Sequence, residues 1–387
     1  MNRNNEKILF SLISSAISGD LLSDNSKKEF SPESTDEIFS VAKKHDVLHL
    51  VSSGIEKNGL LEKGSSLLSK LQNYTFGIVF RYEQLNYELS RVCAALEERG
   101  VDFIPLKGSV LRKYYPEPWM RTSCDIDILV KQSDIEKASA YFCEKLGYEK
   151  GATTSHDTGF FSQNKLHIEL HYTLIEDGLI NDSAKVLERV WDMAKKKQGY
   201  NHFYEMPDQM FYFYHIAHMA KHFEHGGCGI RPFIDFYFLD KVYEKETCDR
   251  LLLEGGLLKF AENVRKLCGV WFYGKDYDST TSLMGEFIIN GGVYGTESNR
   301  ITLQQQKKGG AFKYALSRIF LPYDIIKFYF PILQKHKWLL PFIQVVRWIG
   351  LVFRGRVGLS IKELKYNAEI SPSQKREMKR FLDVIGL

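Results

Sequence analysis

The sequence predicts an α+β protein, with a small mixed sheet set between two helical regions. Three observations carry that prediction. Apolar residues recur every three or four positions through much of residues 1–99. From Val101 the pattern changes to short apolar runs separated by turn residues, as in strands. After Asp182 the helical spacing returns. The changes suggest four regions: helical 1–99, a mixed core at 100–180, a second helical region at 181–310 and an aromatic, basic helical region at 311–387.

The first region opens with Ile8, Leu9, Leu12 and Ile13 at helical spacing. Serines interrupt that stretch and no small-residue cleavage motif follows, so it reads as an amphipathic helix and not a signal peptide. Ser31 before Pro32 marks another helix start, continued by Ile38, Val41 and Ala42. Leu67–Leu96 is long and periodic, and Gly100 suits its C-cap. His45 and His49 are spaced as a helix pair and read as surface or partner-facing, with metal binding as the alternative.

In the core, Val101–Leu106 reads as a strand, Ser109–Tyr115 as a helix and Cys124–Val130 as the next strand. Asp134 suits the N-cap of a helix that stops at Gly147. Gly159–Ser162 and Lys165–Tyr172 read as a hairpin around Gln163-Asn164. Strand side chains alternate faces, so Asp125 and Asp127 point one way, Ile126 and Ile128 the other. Two carboxylates above a core face can hold a hard cation such as Mg²⁺, which takes one or two carboxylates plus phosphates and water. Gly108-Ser109, at a strand-to-helix turn, offers backbone N–H groups and a hydroxyl to a phosphate. Together these suggest metal-assisted phosphoryl or nucleotidyl transfer, although Asp-x-Asp alone also occurs as ordinary strand-edge acids. Lys107 and Arg121 precede the two motifs, as phosphate contacts or as solvated charges; arginine suits the bidentate grip of a phosphate.

A Gly-Ser turn followed by Asp-x-Asp on the next strand resembles the nucleotidyltransferase superfamily of DNA polymerase β. The longer pattern Lys107-Gly108, Tyr115-Pro116, Arg121 and Asp125-Ile126-Asp127-Ile128-Leu129-Val130 resembles more narrowly a bacterial family of uncharacterised nucleotidyltransferases, many of them encoded near surface-polysaccharide genes. The resemblance extends over roughly residues 30–350. It implies a polymerase β-like core near 100–180, wrapped by N- and C-terminal helical regions, and a third carboxylate on a later strand. Glu169 is the candidate, because alternation puts His167, Glu169 and His171 on one face. It implies that Asp125, Asp127 and Glu169 carry catalysis on two Mg²⁺ ions, with Lys107, Gly108, Ser109 and Arg121 around the nucleotide.

The same resemblance makes the helix from Gln209 to about His225 the far wall of the nucleotide cleft. His215, His218 and His222 share one face there, flanked by Lys221, and a glycine turn, Arg231 and Asp235 follow. On this reading His218, Lys221, His222 and Arg231 supply cations to the nucleotide. A metal site or a core role are the alternatives for the histidine face, which has no HExxH pattern. Asp235 reads as a partner of Arg231, four residues earlier on the same helix. Asn290–Gly295 reads as a flexible loop near the cleft.

Composition narrows the function. The net charge of +4, from 52 basic and 48 acidic residues, argues against a dedicated nucleic-acid surface. Six scattered cysteines without a CxxC suggest reduced thiols and a cytoplasmic location. No uninterrupted apolar window is long enough for a spanning helix. Residues 312–356 read preferentially as helices packing an aromatic face on the core, since Pro331, Pro341 and interspersed charges interrupt them. Contact with a membrane surface is the alternative. The expected activity is transfer of a nucleoside monophosphate from an NTP, with ATP favoured, to a small molecule, glycan precursor or macromolecule, releasing pyrophosphate. A nucleotide sensor without turnover, or a toxin-like enzyme acting on protein or tRNA, are the alternatives; the intact carboxylates weigh against the first and the near-neutral charge against a tRNA target.

Overall fold

Five strands form one mixed sheet: β1 (Phe103–Pro105), β2 (Asp125–Val130), β3 (Glu149–Thr153), β4 (Asp157–Phe161) and β5 (His167–His171). The computed structural model describes the backbone of residues 1–176, 178–353 and 357–387, and their side chains except those of 32–34, 357 and 359. Strand order is β1-β2-β5-β4-β3. Only β2 and β5 run parallel among these neighbours. Parallel neighbours need a crossover, and helix Ile135–Glu144 with the β3–β4 hairpin supplies it. The expected α+β class is what the chain adopts. Strand β3 has no counterpart in the sequence reading, because Glu149, Lys150 and Ala152 are exposed and leave no alternation to detect. Charge on this edge guards it against pairing with another chain. The expected helix Ser109–Tyr115 is one α-turn, Gly108–Leu111, followed by a 3₁₀ turn, Arg112–Tyr114.

The two faces of the sheet meet different cores. Ile126, Ile128, Val130, Ile168 and Leu170 pack against Leu85, Val92 and Leu96 of the long helix Ser66–Arg99 and against Phe142. Each of those five strand residues is fully buried, which stabilises the fold by roughly 1.5–3 kcal/mol apiece. A one-residue slip of β2 would bury its aspartates instead, so the register is fixed by this face. Ile104 and Leu129, on the opposite face, join the larger core built by the N-terminal helices and by helices between Asp208 and Gly291. The acid-bearing face of β2 therefore looks into the helical body. Helix Ser66–Arg99 stops where expected, at Gly100 with φ +68°, a conformation that favours glycine.

The C-terminal aromatic stretch departs from the preferred expectation. Its aromatic residues do not all pack inward: Trp338 is 69% and Phe353 87% exposed. Residues 354–356 of the stretch lie outside the described residues. Among the described residues no helix is long and apolar enough to cross a membrane.

Candidate active site

The parallel register of β2 and β5 sets Asp125 beside His167 and Asp127 beside Glu169. All three carboxylates thus share one face. Ligand atoms of Asp125, His167 and Glu169 lie within 4.8 Å of one another, as do those of Asp127, Glu169 and His171. Gly159 of β4 stands opposite Glu169, and a Cβ there would come 3.0 Å from His167 Nε2. Glycine at that position gives the β5 side chains their room.

Lys107, at the turn leaving β1, has φ +44° and ψ −122°, a costly conformation for a residue with a side chain. The turn brings Lys107 Nζ to 2.8 Å from Asp127 Oδ1. His171 Nε2–H donates to the same oxygen at 2.9 Å and lies 3.4 Å from Glu169 Oε2. Burial favours a neutral Asp127, but Lys107 and His171 outweigh it and hold this carboxyl far below its usual range. Burial likewise opposes charge on His171, yet its bonds to Asp127 and Glu169 raise its pKa. Asp125 moves the other way: burial and the neighbouring Asp127 charge push it up. A cation between the two aspartates would reverse that rise. The oxygen-rich donor set fits a hard divalent ion.

Helix Asp208–Glu224 forms the opposite wall. Tyr214, His215, His218, Lys221 and His222 line a cleft of about 290 Å³ whose floor carries Asp125, Asp127 and Glu169. His215 Nε2–H donates to the Pro232 carbonyl at 2.9 Å. The His218 and His222 rings meet edge to face, 4.5 Å between centroids. Burial pushes His218 well down and, with the Lys221 charge, lowers His222 to about 3. In the ligand-free protein these rings therefore face the cleft neutral, and the positive charge comes from other residues. Lys221 ion-pairs with Glu176.

Arg121, expected as a phosphate contact or a solvated charge, is buried against a carboxylate, and Arg231 lacks the partner that spacing suggested. Arg121 grips Asp235, with Nε 2.9 Å from Oδ1 and Nη2 2.8 Å from Oδ2. Tyr115 donates to the same Asp235 Oδ1 at 2.7 Å, and Arg121 Nη1 donates to the Thr122 carbonyl at 2.5 Å. Arg231 instead reaches Asp46 Oδ2 at 2.9 Å and Thr122 Oγ1 at 3.2 Å. The Arg231–Asp235 pair expected from the helix offset is replaced because Asp235 turns inward, 1% exposed, whereas Arg231 in the first helical turn points to the loop holding Asp46. Gly108 is needed for close approach: a Cβ there would meet Arg121 Nη1 and Ser123 Cβ at 3.2 Å. Ser109 borders a separate cavity with Lys113 and Met206, and its hydroxyl is buried without a hydrogen-bond partner among the described residues. Its N–H donates to the Leu106 carbonyl at 3.1 Å.

Several site residues escaped the sequence reading. Tyr214 stands four residues before His218, so helical spacing alone could have found it. Glu176 and Asp46 gave no local signal, whereas Val293 and Tyr294 of the glycine-rich loop expected near the cleft do line it. That loop is pinned, with Gly229 N–H on the Val293 carbonyl at 3.1 Å and Val293 N–H on the Lys44 carbonyl at 3.3 Å. His45 and His49 are not on the surface; both are buried. The turn after helix Pro32–Lys44 is wedged into the body, where His45 Nε2–H donates to Ile289 and His49 Nε2–H to Met120, at 3.1 and 2.8 Å. Burial pushes the His45 pKa from 6.5 down to about 4. As pH falls from 6.5 towards 4, the unfolded chain takes up this proton and the folded one does not, so stability is lost. The expected loss is about 1.4 kcal/mol per pH unit from this residue. Denaturant titrations of wild type and His45→Gln across that window should differ in slope by about one proton; equal slopes would remove the assignment.

No curated protein and no solved structure matches the chain. Residues 31–273 match the family model described as uncharacterised nucleotidyltransferase. That span holds the whole sheet, the three carboxylates and the histidine helix. A family whose members bear nucleotidyl-transfer chemistry in their description fits an acid-lined strand pair facing a cationic wall, and the chain belongs to this family of nucleotidyltransferases.

Proposed function

We propose that the protein transfers a nucleoside monophosphate from an NTP, with ATP favoured, to an acceptor, releasing pyrophosphate in a Mg²⁺-dependent reaction. The observation carrying this reading is Asp125, Asp127 and Glu169 on one sheet face, opposite a wall that includes Lys221 and Arg231. Asp125 and Asp127 would hold Mg²⁺, two ions in all, with Glu169 completing the set. Bound there, the ions would activate the attacking oxygen and neutralise the leaving pyrophosphate. Glu169, 24% exposed where Asp127 is 3% exposed, is the carboxylate more open to an acceptor. In the reaction the acceptor oxygen bonds to the α-phosphorus and its proton passes to Glu169. The bond from that phosphorus to the pyrophosphate oxygen breaks.

The remaining residues divide by their partners. Lys107, Lys221 and Arg231 supply charge to the phosphates by exchanging their carboxylate partners for phosphate oxygens. Gly108 lets the turn approach the nucleotide, while Ser109 supports the turn from behind. Arg121, engaged by Asp235 and Thr122, positions that turn. His218 and His222 offer neutral ring nitrogens and ring faces. The free cysteines support a reducing, cytoplasmic setting.

The test is incubation of the purified protein with each α-³²P-labelled NTP, Mg²⁺ and a cell extract. Label on a small molecule, protein or RNA is the expected result and names the acceptor class. Measurable nucleotide binding without label on any acceptor would overturn turnover and leave the sensor reading.

A further inference from the structure

Helix Leu340–Phe353 is amphipathic in the inverse sense for a water-facing helix. Phe342, Val345, Val346, Ile349, Val352 and Phe353 are between 48% and 87% exposed. Their offsets of 3, 4, 7, 10 and 11 form one stripe along the helix. The opposite face holds the polar residues, and these point inward. Gln344 is buried and donates to the Leu321 carbonyl at 2.6 Å. Arg347 donates to the Arg318 carbonyl at 3.2 Å, and Trp348 Nε1–H to the Ile319 carbonyl at 2.9 Å. The helix is thus tied down by its polar side, with its apolar side turned out.

The surroundings of the stripe are basic. Lys335, His336, Lys337 and Trp338 are consecutive and exposed beside it. From Phe312 to Phe353 the sequence carries six Lys or Arg residues and one Asp, a net +5 in a chain whose total is +4. The rest of the chain is therefore net acidic, and the positive charge is gathered where apolar side chains are exposed. Contiguous exposed apolar surface of this kind marks an interaction site. At 14 residues the helix spans about 21 Å, too short for a hydrocarbon core of about 30 Å. An apolar face with basic and tryptophan flanks suits a helix lying in the plane of a membrane interface.

We propose that residues 312–353 are a docking surface for an anionic lipid bilayer, with the stripe on Leu340–Phe353 entering the headgroup boundary and Lys335 and Lys337 meeting lipid phosphates. The surface lies beyond the family match, which ends at residue 273, and none of its described residues lines the cleft of Asp125, Asp127 and Glu169. It would hold the active site near a membrane.

The experiment is flotation of the full-length protein with phosphatidylcholine vesicles, with and without phosphatidylglycerol. Binding is expected to the anionic vesicles and to weaken with salt. Val346→Asp with Ile349→Asp should lower partitioning by at least about tenfold, and Lys335→Glu with Lys337→Glu should lower it on anionic vesicles alone. All four residues are exposed, and circular dichroism of each variant checks that the fold persists. Absence of flotation by the wild type overturns the proposal. If light scattering then shows a dimer that Val346→Asp with Ile349→Asp converts to monomer, the stripe is a contact between two copies of the chain.

Discussion

Asp127→Asn is expected to lower nucleotidyl transfer by at least about 10³-fold, or about 4 kcal/mol of barrier. Asp127 is the carboxylate on which the floor of the cleft converges. It is 3% exposed, and both Lys107 and His171 bond to its Oδ1. Asparagine keeps the shape and an acceptor oxygen but removes the charge that a divalent cation needs. Asp125→Asn should lose activity to a similar degree for the same reason, but with the opposite effect on stability. Asp125 is pushed up by burial and by the Asp127 charge, so neutralising it relieves repulsion in the ligand-free protein. The expected signature of Asp125→Asn is therefore a raised melting temperature together with lost activity. The double substitution should abolish Mg²⁺-dependent NTP binding, measured by calorimetry, with an unchanged circular dichroism spectrum. Unaltered nucleotide affinity in the double variant would sink the site assignment.

Asp235→Ala is expected to destabilise the fold by about 3–5 kcal/mol. Arg121 is 7% and Asp235 1% exposed, so truncation strands a guanidinium that water cannot reach, and Tyr115 loses its acceptor. Replacing the pair together, as Arg121→Met with Asp235→Leu, should cost far less, because no buried charge is left alone. Burial raises the Asp235 pKa, but Arg121 outweighs it and holds the group below its usual 3.8. The pair's contribution is therefore fully present above about pH 4 and fades as pH falls through the lower folded value. Urea midpoints for the single and double variants separate these effects. A loss under about 1 kcal/mol for Asp235→Ala would mean that the guanidinium finds another partner. The active site gives a second readout, since Arg121 lies against the Gly108 turn.

Much of the acid-bearing face was legible in the linear chain because short-range geometry governs it. Period-two alternation places Asp125 with Asp127 and His167 with Glu169 and His171, whatever the rest of the protein does. Glycine at position 100 ends a helix for local conformational reasons. Helical offsets likewise put His215, His218 and His222 on one cleft-lining face. From these residues the sequence by itself determined the α+β class, the resemblance to nucleotidyltransferases and the set of carboxylates.

Tertiary structure decided what those groups meet. Offset alone pairs Arg231 with Asp235, but ion pairs follow three-dimensional proximity, and Arg121 and Asp46 arrive from 114 and 185 residues away. Whether a histidine is charged depends on burial, which turns the His218 and His222 face from cationic to neutral. The same dependence moves His45 from an expected surface position to the interior. Ser109 fits the phosphate-turn pattern in sequence, yet its hydroxyl is buried and the residue does not line the carboxylate cleft. In the C-terminal stretch the prolines and charges argued for interrupted helices packed on the core, yet Leu340–Phe353 runs as one helix of 14 residues with an apolar stripe. The hydrogen bonds of Gln344, Arg347 and Trp348 to the Arg318–Leu321 backbone hold the other side of the helix and leave that stripe outward.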